Sequence, residues 1–202
     1  LMIAQSLASA LDDLHRRGVV HRDIKPENIL LTKHNRVLLL DLSLADTVHA
    51  TQEVTDAAVG TFFYASPEQT GMCQHPVDGR ADLYMLGVVL FECATGRLPF
   101  ETEDMTELLQ CHAHEPAPNV RSLNERISPA FSLMVDKLLQ KNPIQRYQTG
   151  EGFFHDLTMI RQLETLYYEE QPVLLGREDG YLHQEARSVP LFGRSNELSV
   201  LN

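Results

Sequence analysis

Apolar residues in the first seventeen positions fall on one stripe. Ile3, Leu7, Leu11 and Leu14 recur at spacings of three or four, which predicts an amphipathic helix over residues 1–17. Gly18 follows, the residue type expected just past a helix C-terminus. No capping residue precedes Leu1, so the chain is expected to begin inside an element. Two short runs of β-type residues come next, at 29–32 and 37–40. Lys33-His34-Asn35-Arg36 joins them, and the pair predicts a hairpin. Residues 42–66 are polar and mixed, with no helical period. They predict a long loop, and long loops inside compact domains usually carry function or are disordered.

The remainder reads as helical. Residues 82–95 hold Leu83, Leu86, Val89, Leu90 and Phe91 with few polar positions, which predicts a buried central helix. Residues 104–112 predict a short surface helix, with Asp104 and Glu107 at capping-box spacing. Ser128 and Pro129 supply a cap and a first-turn proline for another helix. Its stripe is Phe131, Met134, Val135, Leu138 and Leu139. A last helix is predicted over 150–166. The chain contains no internal repeat.

Composition narrows the classes. At 202 residues and 43% hydrophobic, the chain can build the core of one mid-sized domain. No apolar run approaches the roughly 20 residues of a membrane span, and no secretory signal is visible. Cys73, Cys93 and Cys111 are far apart and form no CxxC pair. They read as free buried thiols in a reducing, cytoplasmic setting rather than a zinc site. The net charge of −11 argues against nucleic acid or anionic membrane as a partner. His112 and His114 do not share a helical face and read as surface residues, and His21 as a packed structural residue.

The chemistry concentrates between the first helix and the hairpin, in His21-Arg22-Asp23-Ile24-Lys25-Pro26-Glu27-Asn28. The octet resembles the catalytic loop of protein kinases, H-R-D-x-x-x-x-N. A triplet alone arises by chance, but the whole octet between a helix and a hairpin is specific. The resemblance implies that Asp23 accepts the proton of an attacking hydroxyl. Lys25 lies near the transferred phosphate, and Asn28 offers its amide oxygen to magnesium. Asp41-Leu42-Ser43 stands where the family has Asp-Phe-Gly. Asp41 keeps the magnesium-chelating carboxylate, whereas Ser43 replaces glycine and removes backbone freedom at that hinge.

The stretch from Gly60 to Glu68 resembles the end of a kinase activation segment, with Ser-Pro-Glu for Ala-Pro-Glu. By that resemblance Thr61 bonds near Asp23 and Lys25, as in serine/threonine rather than tyrosine kinases. Glu68 is expected to pair with Arg146. Asp82 is expected to start the central helix and fix the catalytic-loop backbone, and Gly87 to permit close packing. Arg22 implies a phosphorylated loop residue as partner, with Thr51 and Thr55 as candidates.

The implied fold is mainly α with a small β-hairpin, the C-terminal lobe of a protein-kinase-like fold whose whole domain is α+β. The expected domains are 1–166 for that lobe, 167–190 for a linker and 191–202 for the start of an AAA/STAND-type ATPase domain. The last rests on the Gly193-Arg194-Ser195-Asn196-Glu197-Leu198 run. Together the motifs resemble large signalling proteins that join a kinase, an ATPase and sensor histidine-kinase modules. ATP and Mg2+ are the implied cofactors. The implied partners are a protein substrate with a serine or threonine hydroxyl and the chain's own downstream ATPase and sensor domains. No glycine-rich phosphate loop, strand lysine or helix glutamate precedes the octet, so these residues alone are expected to be inactive. The competing reading is a pseudokinase-like relay that couples a signal to the downstream module.

Overall fold

The computed structural model describes residues 1–34, 36–44, 46–47, 59–166, 173–176 and 188–189. Helix α1 runs Met2–Arg16. It ends at Arg17 and Gly18, and Gly18 takes the left-handed φ of 74° that only glycine adopts freely. A short strand β1, Val19–Val20, leads into the octet. Strands β2, Ile29–Leu31, and β3, Val37–Leu39, form the predicted hairpin, with Ile29 opposite Leu39 and Leu31 opposite Val37. Strand β4, Asp46–Thr47, returns to pair with β1. Strand β4 lies inside the stretch expected to be loop. Two residues per strand are too few to leave an alternating pattern in the sequence.

Helix α2, Gly79–Thr95, is the centre of the molecule. Its eleven residues 81–91 are all buried, so it is hydrophobic on every side. Asp78 caps its first turn by accepting from the Arg80 amide. Asp82 therefore sits within the first turn and does not start the helix. At Gly87 an added Cβ would lie 2.8 Å from Leu138 Cβ, so only glycine admits the neighbouring helix this closely.

Helix α3, Met105–His114, begins at Asp104, whose carboxylate accepts from the amides of Thr106 and Glu107. Half of the expected capping box forms: Glu107 accepts from Thr102 Oγ1 at 2.6 Å instead of reaching back to the cap. Helix α4, Val120–Leu123, is a single turn capped by Asn119 and was not predicted. Helix α5, Pro129–Leu138, starts at Ser128, which accepts from the Phe131 amide. Helix α6, Gly150–Leu166, packs along α1. Beyond it, β5, Val173–Leu174, pairs with β6, Ser188–Val189. The core joins Leu7 and Leu11 of α1, the α2 stretch, Met134, Val135 and Leu138 of α5, and Phe153, Leu157 and Ile160 of α6. The architecture is mostly helical with small antiparallel ladders, as the fold class predicts.

Two sequence expectations need correction. His112 is fully buried, with the rings of Tyr84 on α2 and Phe100 packed edge-on against it. The three cysteines are free but not buried: Cys93 is exposed, and Cys73 and Cys111 are half-buried.

Candidate active site

The octet is held by its backbone before its side chains matter. Arg22 sits at φ 66°, in the left-handed region that costs a non-glycine residue about 1–2 kcal/mol. The surroundings hold it there. Asp82, wholly buried on α2, accepts from the amides of His21 at 2.9 Å and Arg22 at 2.8 Å. Its Oδ2 also lies 2.7 Å from His15 Nε2 on α1. Gln69 Nε2 donates to the Arg22 carbonyl at 2.8 Å. The Asp23 amide donates to His21 Nδ1 at 3.3 Å, so the proton of that ring sits on Nε2, which donates to the Leu40 carbonyl at 3.2 Å. His21 is thus a packed structural residue, as its position suggested.

These bonds aim Asp23. Its side chain is nearly buried, and the two carboxylate oxygens differ. Oδ2 accepts from Asn28 Nδ2 at 2.8 Å and pairs with Lys25 Nζ at 2.9 Å. Oδ1 is buried without a hydrogen-bond partner among the described residues. An ionised buried oxygen left unmatched is costly, so it marks a place where a donor belongs. Asn28 donates from Nδ2 to the Asp23 carbonyl at 2.9 Å as well. Both N–H bonds of the amide are committed to Asp23, which leaves Oδ1 as the atom Asn28 can offer a cation.

Asp41 follows the hairpin, and Leu40 N bonds Asn28 O at 2.8 Å, which ties the two ends of the site together. Asp41 is exposed and takes φ 61°. Hydrogen bonds from Ser43, side chain first and backbone second, hold its carboxyl below the usual carboxylate range. The left-handed residue is Asp41 and not Ser43, so serine in place of glycine brings no strain at that position. One amide oxygen and one carboxylate make the hard oxygen set that Mg2+ takes together with substrate phosphates. Among the described residues no three His, Cys, Asp or Glu side chains converge into a closed metal cage.

The stretch after the loop is anchored at both sides. Tyr64 Oη donates to Glu92 on α2 at 2.7 Å. His112 Nε2 lies 3.1 Å from the Phe63 carbonyl, and its Nδ1 lies 3.1 Å from Tyr84 Oη, which also accepts from Lys141 Nζ. Burial, with Lys141 adding to it, pushes the His112 pKa down to about 4. Glu68 and Arg146 pair at 2.7 Å with both side chains fully buried. All five donors of Arg146 are used: two reach Glu68, and three reach the carbonyls of Gln140, Arg80 and Lys141. Thr61 has a described backbone, within the 3-10 segment Val59–Tyr64, but its side chain lies outside the described residues. Thr51 and Thr55, the candidate modification sites, lie outside them too.

Sequence reasoning missed Gln69 and His15. Gln69 was open to discovery, because Ser66 and Gln69 have capping-box spacing and form that box. Its oxygen serves the cap and its nitrogen serves the octet. His15 gives no such signal, since only the fold brings α1 against α2.

A family model described as the protein kinase domain matches residues 2–158. Serine/threonine-protein kinase PknD of Mycobacterium tuberculosis is 40% identical, over 73% of this chain and 22% of that protein. A probable serine/threonine-protein kinase of Clostridium perfringens is 34% identical, over 80% of this chain and 24% of that protein. Hybrid signal transduction histidine kinase G of Dictyostelium discoideum is 29% identical, over 80% of this chain and 7% of that protein. The chain thus spans about a quarter or less of the length of these relatives. With the family model covering most of its length, the chain belongs to the protein kinase domain family.

Proposed function

We propose that the protein carrying this chain phosphorylates serine or threonine hydroxyls of protein substrates at the expense of ATP, and that residues 1–166 are the C-terminal lobe that performs the proton and metal chemistry. The observation that carries the reading is the divided Asp23 carboxylate, with one oxygen tethered and the other buried and unmatched. The hydroxyl of a substrate fits the unmatched Oδ1 as donor. Asp23 then takes the proton as the hydroxyl oxygen bonds to the γ-phosphorus of ATP and the bond to the bridging oxygen breaks, releasing ADP. Lys25, beside Asp23, offsets charge on the transferred group. Asn28 and Asp41 are the residues to hold Mg2+, whose chemistry is to neutralise the phosphate oxygens. Thr61 is assigned the supporting role that goes with serine/threonine specificity.

One relative is a hybrid signal transduction histidine kinase, which supports a signalling, multidomain setting. The Gly193-Arg194-Ser195-Asn196-Glu197-Leu198 run supports reading 167–190 as a linker and 191–202 as the opening of an ATPase-type module, and the three separate free cysteines support a cytoplasmic setting. The relay reading rests on Ser43 and on attachment to a large multidomain array; Ser43 brings no strain, which weakens the first of these motives.

The test is phosphate transfer from radiolabelled ATP to a serine/threonine substrate by the full-length protein. Asp23→Asn keeps the shape and the tethers of the residue but cannot take the proton. Transfer is expected to fall by a factor on the order of 1000 or more, with the helix content unchanged. Equal rates for the wild-type and variant proteins remove Asp23 from the mechanism.

A further inference from the structure

The Gln171-Pro172-Val173-Leu174-Leu175-Gly176-Arg177 stretch has no part in phosphate transfer, and it lies past residue 158, where the match to the family model ends. Two of its residues are nevertheless built into the lobe. Leu175 is 4% exposed and belongs to the same buried cluster as Tyr147, Phe153, Leu157 and Ile160. The amide of Gly176 donates to Asp156 Oδ2 at 2.6 Å. Asp156 is itself buried, on α6, and the same oxygen accepts from Tyr147 Oη at 2.8 Å. The catalytic machinery uses neither Asp156 nor Tyr147.

We propose that Asp156, Tyr147 and the apolar surface beside them form a docking site for the chain's own linker, with Leu175 as the plug and Gly176 as the backbone donor. The site recognises a Leu-Gly pair through its chemistry. A buried carboxylate oxygen that already holds one hydroxyl has room for a second donor. A backbone N–H supplies it without bringing a charge into the core. The donor must come directly after a residue that turns inward. Gly176 does this at φ 76°, a conformation that a side-chain-bearing residue adopts only under strain. Just before this point Val173–Leu174 pairs antiparallel with Ser188–Val189 from farther along the chain. Docking therefore fixes the place where the polypeptide leaves the kinase lobe. The site also adjoins the activation segment's anchor: Tyr147 is the neighbour of Arg146, which grips Glu68.

Hydrogen exchange on the whole 202-residue chain tests the docking site without reference to catalysis, so its failure and that of the kinase reading are separate. In the wild-type chain the Gly176 amide is expected to exchange at least ten-fold more slowly than an unstructured amide. Leu175→Asp removes the plug, and Gly176→Val removes the left-handed turn while leaving every buried side chain in place. Both variants are expected to bring residues 175 and 176 to the unstructured rate while the amides of α1, α2 and α5 keep their protection. Gly176→Val decides the matter if Leu175→Asp unfolds the lobe. An unprotected Gly176 in a folded wild-type lobe overturns the site, as does protection that both variants leave unchanged. Loss of protection throughout the lobe with both variants also overturns it, because Leu175 and Gly176 would then be part of the core and not occupants of a site.

Discussion

At the scale of single residues, buried polar groups divide into those that are fully matched and those that are not. Arg146 is fully matched: a guanidinium with no exposed area meets a carboxylate and three carbonyls. Arg146→Ala strands Glu68 without its partner in a dry site. A loss of about 3–5 kcal/mol is expected in urea unfolding. Replacing both residues by apolar ones of similar size should cost much less, and equal losses would show that the charge is not the cause. His112 gives a second test, with a defined pH window. An ordinary histidine titrates near 6.5, and burial holds this one down at about 4. Between those values the unfolded chain binds a proton that the folded chain refuses. Stability contributed by neutral His112 is therefore complete above pH 6.5 and is lost as pH falls toward 4. The full shift corresponds to about 3 kcal/mol. Asp136, pushed up to about 6 by burial, has the opposite slope over much of that range. It is present in wild-type and His112→Gln proteins alike and cancels in their difference. That difference should shrink by about 3 kcal/mol between pH 7 and 4, and parallel curves would rule out His112 as the source.

At the scale of elements, α2 organises the rest, and its two ends do different work. Near its start, Asp82 holds the octet. In the middle, Gly87 lets α5 approach. An alanine Cβ there would come 2.8 Å from Leu138 Cβ and 3.1 Å from Leu139 Cδ2. The Leu139 methyl can give way, but Leu138 Cβ is fixed to its own backbone and cannot. Gly87→Ala should therefore lower stability by about 1–3 kcal/mol despite the gain in helix propensity, and a rise in the unfolding midpoint would contradict the close approach. Elements of this kind were legible in advance. The stripe of α1, the continuous burial of α2, the Ser128-Pro129 start of α5 and the β2–β3 hairpin all follow from local pattern and caps. What escaped was short or non-local. Four residues of α4 cannot show a period. The β1–β4 ladder exists only because residues far apart in the chain meet, Val20 opposite Asp46 and Val19 opposite Thr47. Among site residues, Asp23, Lys25 and Asn28 were legible because their spacing is local, and the structure brings all three into contact. The full burial of His112 and the bond from His15 to Asp82 depend on which helices pack together, and no spacing in the chain records that.

At the scale of the whole molecule, one face is less finished than the rest. Leu30 and Leu38, opposite each other in the hairpin, are exposed, and so are Leu40 and Leu42 on either side of Asp41. A cluster of exposed leucines of this size favours association. The charge at the site points the same way for nucleotide. Asp23 and Asp41 bring two negative charges, and Lys25 is already paired with one of them. A polyphosphate approaching these residues meets repulsion unless Mg2+ comes with it, and exposed Asp41 and Leu42 offer no enclosing wall. These 202 residues by themselves should therefore bind Mg-ATP more weakly than about 1 mM, which corresponds to a binding free energy smaller than about 4 kcal/mol. They should also self-associate as concentration rises. Calorimetric titration with Mg-ATP reads the first expectation, and sedimentation of the wild-type chain beside Leu38→Ser/Leu42→Ser reads the second. The double variant should stay monomeric at concentrations where the wild type does not, since both leucines leave the face and neither belongs to the core. Submillimolar affinity, together with turnover that Asp23→Ala abolishes, would show that these residues enclose a nucleotide without help. The charge balance argued here would then be wrong.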